Sequence, residues 1–233
     1  MAGELNHIGF IADGNRRWAR ARNLPTLEGH RRGFDVVQDI VEFYKNSEVK
    51  YLSFFVFSTE NWDRSEEEVS YLMKLISNSI EQLAKKAQKD HLRIVLMGRP
   101  EPVEPKLWEK LQKIEADTKA NDGLTVCFCC NYGGQWEIAD AAQAIVDEIT
   151  QNGNEDMPTI TPEVFAKYLY HPEIPPLDFV VRTSGEQRIS GFQLWRSAYA
   201  EFWFIDKNFP DVNTEDCQEA LEEFHRRGRR FGK

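Results

Sequence analysis

The feature that most constrains the fold is an alternation. Short apolar runs, His7 to Ile11, Tyr51 to Phe57, Leu92 to Met97, Leu124 to Cys130 and Asp178 to Val181, are separated by longer stretches with apolar residues at helical spacing. Ala198 to Ile205 adds a sixth strand-like segment. Runs this apolar suit strands covered on both faces, and strands alternating with helices suit a parallel sheet. The chain of 233 residues therefore reads as one α/β domain, with a mostly parallel central sheet flanked by helices. The proline-rich stretch His171 to Pro176 is a connector within that domain, because the alternation resumes after it.

The helical stretches carry their own signals. Glu28 to Tyr44 repeats Phe34, Val37, Ile40, Val41 and Tyr44 on one face. Ser65 with Glu68 reads as a capping box opening a helix to about Lys89, whose apolar face is long enough to fill a core or line a greasy tunnel. Pro105 to Lys119, Trp136 to Ile149, the segment opened by Thr161 and Pro162, and Thr214 to Arg227 complete the helices. Gly133 and Gly134 could turn backbone N–H groups toward an anion.

Composition excludes several functions. The net charge of -9 argues against general nucleic-acid binding. Within this acidic chain Arg16, Arg17, Arg20, Arg22, Arg31 and Arg32 crowd together, which points to a specific anionic ligand. No apolar run approaches the ~20 residues needed to cross a bilayer, and no secretory leader is visible. The expected location is the cytoplasm, with room for peripheral contact at a membrane. Cys127, Cys129 and Cys130 share a strand, two on one face and one on the other, and read as buried thiols rather than zinc ligands. Neither Gly-x-Gly-x-x-Gly nor a P-loop is present.

The chemistry gathers where strands end. In open α/β sheets, ligands collect beyond the carboxyl ends of strands. The first run stops at Asp13-Gly14-Asn15-Arg16-Arg17-Trp18, the second at Ser58-Thr59-Glu60-Asn61-Trp62-Asp63-Arg64, and the fifth at Arg182-Thr183-Ser184-Gly185-Glu186-Gln187-Arg188-Ile189-Ser190. Solvated turns account for any one of these alone; three together do not read that way. Arginine forks with hydroxyls suit phosphate oxygens. Asp13 and Glu201, a carboxylate within an aromatic run, suit a divalent ion, most simply Mg²⁺. A diphosphate leaving beside aromatic rings is how an allylic cation would be formed and shielded.

These motifs, taken in order with Gly29-His30, Asn131-Tyr132-Gly133-Gly134 and Tyr199-Ala200-Glu201, resemble the cis-prenyltransferase family, and in particular its bacterial undecaprenyl diphosphate synthases. The resemblance runs from His7 to Phe231. It implies a homodimer that condenses isopentenyl diphosphate onto an allylic diphosphate with Mg²⁺, each new double bond being cis. By the resemblance, Asp13 is the catalytic acid and a Mg²⁺ ligand, and Glu201 is a second Mg²⁺ contact. Gly14, Asn15, Arg16 and Arg17 match the allylic diphosphate loop, with Trp18 and His30 beside it. Ser58, Thr59 and Glu60 match the adjoining substrate segment, Asn61 the proton acceptor, and Trp62 and Arg64 further substrate contacts. Arg182, Arg188, Ile189 and Ser190 match the isopentenyl diphosphate site. The C-terminal arm, residues 226–233, reaches the dimer partner in the family, which gives Arg227 to Arg230 a role. Product release at a membrane surface belongs to the same expectation.

The chain departs from the family pattern in places. Thr26 stands where the family usually has arginine, with Arg22 and Arg31 as candidates to compensate, and Gln187 stands where many relatives have histidine. Val56, Phe128 and Cys130 are bulkier than usual in tunnel-lining strands, which allows a product shorter than undecaprenyl diphosphate. Two competing readings are weaker. A non-catalytic subunit of the same fold would lose the acid and arginines. An aspartate-nucleophile phosphatase would need Asp-x-Asp, and Asn15 occupies the second position.

Overall fold

The computed structural model describes residues 4–151 and 159–227. Six strands form one sheet: β1 His7–Ile11, β2 Tyr51–Ser58, β3 Arg93–Met97, β4 Thr125–Tyr132, β5 Phe179–Arg182 and β6 Glu201–Phe204. Their order is β3-β4-β2-β1-β5-β6, and every neighbouring pair is parallel. All strands therefore end on the same edge. β1 lies at the centre, where the strand order reverses, which is where open α/β sheets place their ligands. Among the described residues there are seven α-helices, α1 Asn15–Ala21, α2 Thr26–Tyr44, α3 Glu66–Asp90, α4 Pro105–Thr118, α5 Gly134–Gln151, α6 Pro162–Ala166 and α7 Thr214–Arg226, and two short 3-10 helices, Thr59–Asp63 and Phe209–Asp211. The arm residues Gly228, Arg229, Arg230 and Phe231 lie outside the described residues.

Burial on both faces explains the apolar strands: every residue of β1, β4 and β5 is buried. Under α2 and α3, rings from successive strands stack across the sheet. Phe10 lies 5.3 Å from Phe54, and Phe54 lies 6.1 Å from Phe128. Full burial of each ring contributes about 1.5–3 kcal/mol. Cys130 joins this layer, whereas Cys127 and Cys129 pack in the layer opposite, as the strand alternation requires. Burial pushes the Cys127 and Cys130 thiols up to about 12, so they remain protonated and inert.

The opposite layer is pinned by polar groups. Arg196 pairs with Glu137 at 2.6 Å, both buried, and holds the carbonyls of Tyr170 and His171. His7 Nδ1 must donate to the Pro175 carbonyl, so its Nε2 accepts from the Ser53 hydroxyl at 2.8 Å. Burial holds His7 neutral, with its pKa lowered to about 4.

Two local expectations are corrected. Ser65 does cap α3, accepting from the Glu68 N–H at 3.3 Å, but the Glu68 carboxylate does not reach back. It turns to Arg64 at 3.0 Å instead, because a cation outcompetes a neutral backbone donor. Gly134 is the first residue of α5, and its N–H donates to the Gly191 carbonyl at 2.8 Å. That bond ties the loop after β5 to α5 and takes this N–H away from any anion.

Candidate active site

The edge where the strands end holds one site with two lobes. The first, about 670 Å³, is lined by Asp13, Ser58, Glu60, Asn61, Arg64, Arg182, Arg188 and Ser190, among others. The second, about 420 Å³, is lined by Asp13, Gly14, Asn15, Arg16, Arg17, Arg20, His30 and Arg64, among others. Ala12, Asp13, Phe55, Asn61 and Arg64 belong to both, so Asp13 stands at the junction.

Local geometry holds Asp13 in place. The Thr183 hydroxyl accepts from its N–H at 2.9 Å and donates to its carbonyl at 2.6 Å. One carboxylate oxygen accepts from Arg182 Nη2 at 2.9 Å, and the other from the Gly14 N–H at 2.7 Å. Gly14 sits at φ 98, a left-handed conformation that suits glycine, and starts α1 at once. Gly29 on α2 lets α1 come close, since a Cβ there would lie 2.0 Å from the Asn15 carbonyl oxygen. This contact aims the α1 cations at the site.

The cations differ in how they are tied. Arg182, only 3% exposed, also donates to Ser190 Oγ at 2.9 Å and to the Arg188 carbonyl. Glu186 pairs with both Arg17, at 3.0 Å, and Arg188. Glu68 lies 3.0 Å from Arg64, 3.6 Å from His30 and 3.9 Å from Arg16. Burial, then the nearby Arg64 charge, lowers the His30 pKa to about 4, so the imidazole is neutral near pH 7. His30 Nε2 and Asn15 Oδ1 are buried without hydrogen-bond partners: Nε2 lies 3.6 Å from Glu68, and Oδ1 is packed against Gly33 of α2, where a Cβ would lie 2.3 Å away.

The structure thus brings together Asp13, Gly14, Asn15, Arg16, Arg17, His30, Ser58, Glu60, Asn61, Arg64, Arg182, Arg188 and Ser190. Five predicted residues lie elsewhere. Trp18 turns its Nε1 to Asp211 at 2.6 Å and stacks under Arg22. Trp62 donates to Asn131 Oδ1 at 2.7 Å and lines a groove beside α3. Thr59 packs where Gly133 leaves room, and Ile189 packs into the core layer away from α2. Glu201 lies farthest from Asp13. It is the first residue of β6, level with Phe179 and Ile8, so it lies at the other end of these strands from Asp13. It pairs with Arg227 at 3.3 Å, so the two carboxylates do not flank one ion within a single chain.

Asn61 is in place but oriented against the expected role. Its Oδ1 accepts from the Ser58 N–H at 3.2 Å. A backbone N–H can only donate, so this fixes the amide and leaves Nδ2 as the end without a partner among the described residues. A free NH₂ positions a ligand; it does not take a proton. Sequence reasoning also missed Glu68, Glu186 and Thr183 as the groups that orient the arginines and Asp13. Their signal was present, since each lies within or just past a strand-end motif.

With this geometry in view, the comparisons with known proteins are consistent. The prenyltransferase family model described as "Putative undecaprenyl diphosphate synthase" matches residues 11–232. The chain belongs to the undecaprenyl diphosphate synthase family. An isoprenyl transferase from Thermotoga maritima is 40% identical over 226 residues, 97% of this chain and 96% of that one. The crystal structure of lavandulyl diphosphate synthase from Lavandula x intermedia, in complex with dimethylallyl diphosphate, superposes with a TM-score of 0.91 at 29% identity and covers 98% of both chains. A "probable undecaprenyl diphosphate synthase" from Campylobacter jejuni gives a TM-score of 0.81 at 28% identity, covering 99% of this chain and all of that one. The family enzyme described here is a prenyltransferase. No helix among the described residues is long and apolar enough to cross a membrane.

Proposed function

We propose that this enzyme elongates prenyl chains in cis, condensing isopentenyl diphosphate onto an allylic diphosphate. The observation that carries this is the two-lobed cavity, with arginines in both lobes and Asp13 shared between them. Two diphosphates need two cationic lobes, and the condensation needs them side by side. The allylic diphosphate occupies the lobe of Arg16, Arg17 and His30, and isopentenyl diphosphate that of Arg182, Arg188 and Ser190. The dimethylallyl diphosphate in the lavandulyl diphosphate synthase structure fits a site for this ligand class in the shared fold.

The residues fit Mg²⁺ in one particular way. Among the described residues no three His, Cys, Asp or Glu side chains cluster to cage an ion. Mg²⁺ commonly binds through one or two carboxylates plus substrate phosphates. Asp13, at the junction of the lobes, is the residue that would hold it. Bound there, the ion would neutralise charge on the departing diphosphate.

The chain's own groups do the remaining work. Arg16, Arg17 and Arg64 stabilise the diphosphate as it separates from the allylic carbon. Neutral His30 lines the same lobe, with its Nε2 beside the Glu68 carboxylate. Phe55 and Phe57 line the cavity and exclude water from the allylic cation. Arg182 and Ser190 hold the second substrate so that its alkene faces that carbon. Asn61 directs its NH₂ at the junction and orients the reacting groups.

The product we infer is a polyprenyl diphosphate such as undecaprenyl diphosphate. A second reading, favoured by the stacked Phe10, Phe54 and Phe128 rings under α3, is a shorter chain. The homodimer also belongs to this proposal; the half-buried aromatics Phe202, Trp203 and Phe204 on edge strand β6 would supply apolar contact area. The experiment is chromatography of the product formed from farnesyl diphosphate, labelled isopentenyl diphosphate and Mg²⁺. A ladder ending near eleven isoprene units supports the first reading and an early stop the second. No incorporation overturns both.

A further inference from the structure

We propose that Arg20 is a substrate-binding residue, supplying from α1 the cation that Thr26 cannot. This inference rests on the allylic diphosphate occupying the second lobe. Thr26 is the first residue of α2, is uncharged and is not among the residues lining that lobe. The charge expected there must come from elsewhere if the lobe is to hold two phosphates.

The neighbouring arginines narrow the choice. Arg22 is committed to Asp211 at 3.0 Å and lies 4.5 Å over the Trp18 ring. Arg31 pairs with Glu28 at 2.9 Å and with Asp35 at 3.6 Å along α2. Neither lines the lobe, so neither compensates as expected from the sequence. Arg17 lines it but pairs with Glu186, and Arg64 lines it but pairs with Glu68.

Arg20 does line the lobe, and it is exposed. Among the described residues it forms no ion pair or side-chain hydrogen bond, so its fork is free for a ligand. Arg16 and Arg20 are four residues apart, on one face of α1 and separated by a rise of about 6 Å. Arg16 stands nearer the Asp13 junction, and Arg20 one turn further out. Two forks at this spacing can grip the two phosphoryl groups of one diphosphate from the same side, each in bidentate fashion.

The test uses the full-length enzyme with Arg20→Gln. Steady-state kinetics give KM for farnesyl diphosphate and for isopentenyl diphosphate. Tryptophan fluorescence titration with inorganic pyrophosphate gives affinity without turnover, and thermal unfolding checks the fold. Arg20→Gln is expected to raise KM for farnesyl diphosphate about tenfold and to weaken pyrophosphate binding, leaving KM for isopentenyl diphosphate within about twofold. Unchanged KM and pyrophosphate affinity in Arg20→Gln would mark Arg20 as a solvated surface cation and overturn the proposal. So would an equal rise in both KM values. If the wild-type enzyme incorporates no isopentenyl diphosphate, the elongation reading fails by itself. The pyrophosphate titration then still decides whether Arg20 binds the anion.

Discussion

The two lobes contain the same kinds of residue and differ in how they are wired. In the lobe of Arg182 and Arg188, the guanidinium groups are tied to Asp13, Glu186, Ser190 and a carbonyl before any substrate arrives. In the other lobe Arg17 and Arg64 are likewise tied, to Glu186 and Glu68, but Arg16 is 3.9 Å from its nearest carboxylate and Arg20 has none. Pre-tied cations are held in position, at the cost of sharing their charge with protein anions. Loose cations offer full charge but must be ordered by the ligand. The difference suits the chemistry proposed. A diphosphate that must leave meets two loosely paired cations, Arg16 and Arg20, beside two tied ones, and one that must stay meets tied cations only.

The contrast can be broken most forcefully at the shared junction. Asp13→Ala removes the carboxylate common to both lobes and is expected to lower incorporation of labelled isopentenyl diphosphate about 10³-fold or more. Asp13→Asn, which keeps an acceptor for Arg182, controls for stability. Next comes the rigid lobe. Arg182→Gln frees the Arg188 carbonyl and Ser190 together, and is expected to lower kcat/KM about 10²-fold, mostly through KM for isopentenyl diphosphate. Glu186→Gln sharpens the comparison rather than destroying it. It loosens Arg188 and Arg17 at once, and an approximately threefold rise in KM for isopentenyl diphosphate is expected, with kcat little changed. Activity unaffected by Glu186→Gln would show that the pre-tied geometry contributes nothing.

A further effect is on stability and is read by pH. His7 and His30 are buried neutral, with pKa values lowered from 6.5 to about 4. Between those values the unfolded chain binds a proton that the folded chain refuses. Stability therefore falls as pH drops from about 6.5 toward 4. Thermal unfolding across that window is expected to show a shallower pH dependence in His30→Gln than in the wild-type protein.

Much of this was legible in the sequence because it depends on pattern. The fully buried strands β1, β4 and β5 can pack only inside a covered parallel sheet, and their polar ends had to meet on one edge. The site residues past the ends of β1, β2 and β5, namely Asp13, Asn61, Arg182 and Arg188, came together accordingly. What the sequence hid was direction. Trp18 and Trp62 sit inside the right motifs, yet their indole N–H groups found Asp211 and Asn131 and turned away from the cavity. Glu68 looked like a cap but chose a cation. Glu201 lies beside a strand, and only the register shows that it starts β6 rather than ends it. Spacing fixes which face a residue shares, whereas partner choice and strand level depend on contacts far along the chain.

The central claim, that the loose lobe takes the allylic diphosphate and the rigid lobe isopentenyl diphosphate, is tested most directly by comparing both KM values in Arg16→Gln and Arg188→Gln. The account predicts opposite patterns: Arg16→Gln raises KM for farnesyl diphosphate about tenfold and spares isopentenyl diphosphate, and Arg188→Gln does the reverse. The same pattern in both variants, or the two patterns exchanged, would contradict it.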